Sequence, residues 1–360
     1  MPPVEALPVA RLASQPLPGE ASHWLAFAVL VAVLLALDLF VFHRHDHKPT
    51  LRESAMFTVF WIAVGLAFNG LVWWWGVAEG LGSDPGIRFL SGYLVEKSLS
   101  MDNIFVFVVI FRFFQVPMMY QYRVLFWGIL GAIVMRAVFI LGGIKLIHHF
   151  NWVIPLFGAF LIYTAYKLIR HSEAEVHPDQ NILLRTARRW FRVTSGDHHQ
   201  HGHDFFAREN GLLCVTPMLL VLLVIESTDV VFAVDSVPAI IGITNDPFIA
   251  FTSNIFAILG LRALYFLLAG VIDMFRFLHY GLAAVLAFVG LKMISEYVIK
   301  HVESAEWIGP YVHPLVTPVG SLTVIVALLS ISIGASLLFV AKETEPKDDD
   351  ATSRKDVDTR

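Results

Sequence analysis

Apolar residues in this chain come in long unbroken runs, and polar residues come in short bursts between them. Nine such runs lie at 24–42, 56–78, 89–111, 123–147, 152–171, 212–236, 248–272, 277–299 and 319–341. Each approaches the roughly 20 residues that a tilted helix needs to cross a bilayer core of about 30 Å. Lipid offers no hydrogen-bonding partners, so a spanning segment must be a helix or part of a closed barrel. Runs this continuous lack the alternation of barrel strands. The pattern therefore predicts an all-α polytopic membrane protein of nine spans. WLAFAVLVAVLLALDLFVF at 24–42 lacks a small-residue cleavage site and is followed directly by HRHDHK, so it reads as a span and not as a cleaved signal.

Composition sharpens this. Of 360 residues, 56% are hydrophobic and 16% are charged, against about 25% charged in soluble domains. A soluble enzyme, a nucleic-acid-binding protein and a disordered chain are excluded together. Cys214 is the single cysteine, which rules out an intramolecular disulfide or a CxxC site. Positive charge fixes the expected sidedness. Eighteen Lys and Arg fall in loops on one side, four (Arg11, Arg88, Lys145, Lys300) on the other, and Lys97, Arg136, Arg262 and Lys292 lie within runs. The positive-inside rule then places residues 1–23 outside and the C-terminus in the cytoplasm. Runs one to five occupy 24–171, a cytoplasmic His-rich loop occupies 172–211, runs six to nine occupy 212–341, and the charged tail 342–360 lacks the apolar content to fold. Within the loop, NILLRTARRWFRV at 181–193 has the makings of a helix lying at the membrane surface.

The runs also repeat. Ser100-Met-Asp102-Asn103-Ile-Phe105 in the third run is echoed by Ser227-Thr-Asp229-Val-Val-Phe232 in the sixth. Met135-Arg136-Ala137 is echoed by Leu261-Arg262-Ala263, and Lys167-Leu-Ile by Lys292-Met-Ile. Asp-to-Arg intervals are 34 and 33 residues, and Arg-to-Lys intervals are 31 and 30. An offset of three spans reverses orientation, so runs 3–5 and 6–8 are expected to be inverted three-helix repeats, an architecture of secondary transporters.

The chemistry lies in the intramembrane acids. Charge inside a span is costly and marks function by default. The third run carries Glu96, Asp102 and Asn103, and the sixth carries Glu226, Asp229 and Asp235. Oxygen ligands without Cys or His suit a hard divalent cation, and carboxylates away from water would take up protons when the cation leaves. Six-residue separations, Glu96 to Asp102 and Asp229 to Asp235, do not return to one helix face. Either the helices unwind locally, with Pro238 a plausible break, or the acids serve two successive sites. Lys97, Arg136 and Arg262 read as counter-charges or gates, since guanidinium has no lone pair to offer a cation. Asp38, near the end of the first run, carries less weight, and Lys167 and Lys292 read as snorkelling cations. His198, His199, His201 and His203 form a tract suited to cytoplasmic metal or pH sensing.

Glu96-Lys-Ser-Leu-Ser-Met-Asp102-Asn-Ile-Phe-Val-Phe107 and Glu226-Ser-Thr-Asp229-Val-Val-Phe-Ala-Val-Asp235-Ser-Val-Pro238-Ala resemble the two signature segments of the TerC family, integral membrane proteins named for tellurium resistance. Met101 stands where a small aliphatic residue is expected, a conservative departure. The resemblance implies a bacterial inner (cytoplasmic) membrane protein and, for the exporter branch, Mn²⁺ efflux. Glu96, Asp102, Asn103, Glu226, Asp229 and Asp235 would then handle the metal. The expected function is export of a divalent cation, foremost Mn²⁺, in exchange for protons, with lipid, cations and protons as partners, no nucleic acid, no organic cofactor and no enzymatic activity. The oligomeric state is left open. The alternative is a membrane scaffold or metal-delivery protein in metal or tellurite stress, in which the His tract matters more than the acids. An oxidoreductase acting on tellurium oxyanions finds no electron-carrier motif here.

Overall fold

The computed structural model describes residues 21–38, 50–170, 204–209, 212–269, 277–301, 314–315 and 317–343. Its helices in chain order are α1 (Ala21–Leu37), α2 (Leu51–Ala78), α3 (Asp84–Phe113), α4 (Met118–His149), α5 (Val153–Arg170), α6 (Pro217–Ile243), α7 (Pro247–Leu259), α8 (Leu261–Leu268), α9 (Leu278–His301) and α10 (Pro318–Glu343). Six of these are long and apolar enough to cross a membrane, and α7 with α8, bent by 42° at Gly260, makes a seventh if counted as one span. The protein is thus a helical, multi-pass membrane protein. Helices also stand at the other two expected places, but α1 has 17 residues. In α3 the charged residues Asp84, Arg88, Glu96, Lys97, Asp102 and Arg112 dilute the apolar run.

Local chemistry sets the helix ends. Thr50 and Glu53 form a reciprocal capping box that satisfies the first amides of α2. Pro217 and Pro247 occupy first-turn positions, where a missing N–H costs nothing, and Asp246 accepts from the amides of Phe248 and Ile249. The expectation of an all-α chain needs one correction. Phe206–Glu209 and Leu212–Val215 pair as an antiparallel hairpin, so the sixth run loses its first residues to a strand and its helix begins at Pro217. Thr216, extended and preceding a proline, divides the two. A second correction concerns Pro238: α6 runs through it without a break. The His tract and 181–193 lie outside the described residues.

Four apolar clusters hold the bundle. The first joins α3, α4, α6 and α8; an aromatic one joins α1, α2, α3 and α7; a third joins α5, α9 and α10 to α3 and α6; a fourth joins α4, α5, α6 and α7. Helices α5 and α9 cross at Gly158 and Gly290. A Cβ on Gly158 would lie 2.7 Å from the Gly290 carbonyl oxygen, and one on Gly290 2.6 Å from that of Gly158. Such close backbone approach is how helices pack where lipid removes the hydrophobic drive between them.

Candidate functional site: a buried arginine–carboxylate cluster

Glu96, Arg136 and Asp229 lie near the middles of α3, α4 and α6 and meet in the interior. Arg136 is 1% exposed. Its Nη1 donates to Glu96 and, at 2.9 Å, to Ser236 Oγ, while Nη2 reaches Asp229 Oδ1 at 3.3 Å. Asn254 of α7 donates from Nδ2 to Glu96 Oε2 at 2.9 Å. Helices α3, α4 and α6 therefore meet at one guanidinium, and α7 joins them through Glu96. Asp229, Ala233 and Ser236 share the inward face of α6 by helical spacing.

The cluster is incompletely satisfied. Asp229 Oδ2, Asn254 Oδ1, Ser100 Oγ and Arg136 Nε are buried without a hydrogen-bond partner. Such atoms are uncommon and costly in a finished interior. Asp229 also lines a narrow, mostly apolar crevice together with Phe107, Leu125, Gly128, Ile225 and Arg262.

Of the other expected residues, Glu226 lies within electrostatic reach of Asp229, whereas Asp235, Lys97 and Arg262 meet other partners. Asp235 faces α5, where Thr164 Oγ1 donates to it at 3.1 Å. With α6 continuous, the six-residue step sends Asp229 and Asp235 to different neighbours. Glu226 packs over Gly131 of α4. Lys97, next to Glu96, donates to the Ala257 carbonyl at 3.1 Å, at the end of α7 where the bend interrupts the helix. Its ammonium sits at the negative end of that helix dipole. Arg262 pairs with Asp38 at the end of α1, with both side chains buried, and lies over the Phe126 ring. Asn103 is buried on α3. Asp102 lies in α3, and its side chain is outside the described part. Among the described residues, no three of His, Cys, Asp and Glu come together as a metal-holding group. Lys292 corrects an expectation: it does not snorkel but is 7% exposed, 4.0 Å from Glu296.

Sequence reasoning missed Ser236, Asn254 and the bend at Gly260. An Asn in an otherwise apolar run, PFIAFTSNIFAIL, was the available signal for Asn254.

The pattern of the "Integral membrane protein TerC family" matches residues 81–345, that is, α3 to α10. A membrane protein of Myxococcus xanthus, uncharacterised in function, is 45% identical over 320 residues, covering 89% of this chain and 93% of its own length. Alx of Escherichia coli K12, a proposed membrane-bound redox modulator by name, is 48% identical over 280 residues, covering 77% and 86%. A membrane protein of Rickettsia bellii is 38% identical over 315 residues, covering 88% and 97%. No solved structure matches. The chain belongs to the TerC family of integral membrane proteins.

Proposed function

We propose that this chain exports a divalent cation, foremost Mn²⁺, from the cytoplasm across a bacterial inner membrane, with protons returning. The observation that carries this reading is Asp229: a buried carboxylate, one oxygen on Arg136 and the other without a partner, on the wall of a crevice. With the N-terminus outside and nine spans, α4 and α6 run outward and α3 and the α7–α8 pair run inward. Phe107, Leu125, Gly128, Ile225 and Arg262 then all lie on the cytoplasmic side of the cluster. In that orientation the crevice flanks Asp229 on its cytoplasmic side.

Arg136 serves as a tethered counter-cation. It pairs with both Glu96 and Asp229 when no metal is bound and offsets one of their two charges, which helps buried carboxylates persist in the empty protein. An arriving cation finds Asp229 Oδ2 and Asn254 Oδ1, hard oxygen donors of the kind Mn²⁺ accepts, and draws Glu96 and Asp229 from the guanidinium, which keeps Ser236. Packing supports the inverted repeat. α3 rests on α7 as α4 rests on α6, and α5 rests on α9; exchanging runs 3–5 with 6–8 maps this set of contacts onto itself. Asp235 with Thr164 would then be a second station.

Measurement of cellular manganese after a Mn²⁺ load tests this. Cells lacking their own exporters should stay low in manganese with the intact chain and with residues 195–205 deleted, and should fill with Asp229→Asn or Asp102→Asn at equal membrane abundance. The scaffold reading predicts the reverse: loss on deletion of the His tract and indifference to the two acids.

A further inference from the structure

Lys97 is a partly buried cation for which the proposed transport cycle has no use. It follows Glu96 directly in α3, and both residues reach the same neighbour, α7. Glu96 Oε2 accepts from Asn254 Nδ2 at 2.9 Å, and Lys97 Nζ donates to the Ala257 carbonyl at 3.1 Å. Asn254 and Ala257 are three residues apart, so they share a face of α7 with about 4.5 Å of rise between them. One turn before Glu96, Gly92 lets α7 come close: a Cβ there would lie 2.8 Å from Ser253 Oγ.

Two grips separated along one helix fix more than one does. The Glu96 contact alone would let α7 turn or tilt about Asn254, and the Lys97 contact, nearly a turn further on, removes that freedom. The corner at Gly260 suits this second grip. A helix end leaves carbonyls without partners in the helix, and the ammonium supplies one at the 42° bend. Asn254 is fully buried, with Nδ2 on Glu96 and Oδ1 unpartnered, so the place of that oxygen follows the place of α7. In the empty protein Glu96 holds Asn254 directly. A cation that draws Glu96 to itself weakens this grip, and the Lys97 contact, which involves no carboxylate, is the one that persists.

We infer that Lys97 is a positioning residue for the central site: it pins α7 to α3 through the Ala257 carbonyl and so keeps Asn254 beside Glu96 when a cation engages the cluster. The part that concerns the cation rests on the exporter reading; the pinning of α7 does not.

The test uses the full chain purified in detergent, with bound Mn²⁺ read from loss of the electron paramagnetic resonance signal of the free aqueous ion. Lys97→Met should weaken Mn²⁺ binding by roughly tenfold, the scale of one hydrogen bond from a charged donor, while the melting temperature without Mn²⁺ moves little. A lysine that only stabilised the fold would give the opposite balance. Asn254→Ala should weaken binding at least as much. Adding Lys97→Met to Asn254→Ala should then change binding by less than about twofold, because nothing is left to position. Unchanged affinity in Lys97→Met, or a full tenfold loss added on the Asn254→Ala background, overturns the inference. If the intact chain binds no Mn²⁺, the exporter reading falls, and melting temperatures of the same four proteins decide the pinning. Losses that fail to add keep it, and additive losses overturn it.

Discussion

Arg136 and Arg262 occupy matching places in the sequence repeat, yet they hold different parts of the molecule. Arg136, on an uninterrupted α4, bridges Glu96 of α3 with Asp229 and Ser236 of α6 at the centre of the bundle. Arg262 stands two residues past the bend at Gly260 and pairs with Asp38 of α1, a helix outside the repeat. Two nearly equivalent sequence segments thus give one arginine a pair of repeat carboxylates and the other a peripheral one. The bend explains the divergence. It re-aims everything after Gly260, and the Ala257 carbonyl it exposes is met by Lys97. Repetition in sequence sets which residues are charged; the break in one copy decides whom they meet.

The strongest way to break this comparison is to remove a carboxylate from each arginine. Asp229→Asn should lower Mn²⁺ transport by roughly a hundredfold or more, the scale of losing one partner from a buried charge network. Asp38→Asn, outside the pathway, should leave the rate of the folded protein within about threefold, inside the spread of non-site substitutions. Equal losses would mean that the pairing of Arg262, which already lines the crevice, with Asp38 matters to transport as much as the central cluster does.

Next is stability. Arg136→Gln strands two buried carboxylates and should cost about 3–5 kcal/mol, read as a lowered melting temperature of the detergent-purified protein. Adding Glu96→Gln should recover part of it, since neighbours in one network do not add. Arg262→Gln strands one carboxylate and should cost less, with Asp38→Asn recovering most. If the two arginines prove equally costly, the bridge at Arg136 is not the bundle's main polar tie.

The bend comes third. A Cβ on Gly260 would meet Trp61 Cβ at 2.8 Å and Lys97 Nζ at 3.0 Å, so Gly260→Ala should cost about 1–3 kcal/mol through overpacking. The smallest effect is expected from Lys97→Met, which removes one bond to the Ala257 carbonyl and should cost about 1 kcal/mol. A larger loss in the same melting assay would make Lys97 a structural pin and not a local cap.

Much of the fold was legible because bilayer physics is blunt: long apolar runs need no partner to be read. The acids and arginines of the cluster were visible for the same reason, since charge in an apolar run stands out. Ser236 and Asn254 were not, because uncharged polar residues are ordinary in such runs until a partner is known. The hairpin at 206–215 hid in Leu212-Leu-Cys-Val215, which reads as the start of a span. Pro238 looked like a break and was not, while Gly260, with no such signature, was. Trp61 and Lys97 pack against the glycine at the bend, contacts that no local pattern encodes.

The central claim is that Asp229 and its neighbours pass a divalent cation outward. Its most direct test is ⁵⁴Mn²⁺ uptake into inside-out vesicles under an imposed proton gradient, comparing the intact chain with Asp229→Asn and challenging with Ca²⁺, Mg²⁺ and Zn²⁺. The account predicts gradient-driven uptake by the intact chain, displaced by the competitor that shares the site, and none above empty vesicles for the variant. Uptake undiminished by Asp229→Asn, or none by the intact, folded protein, would contradict it.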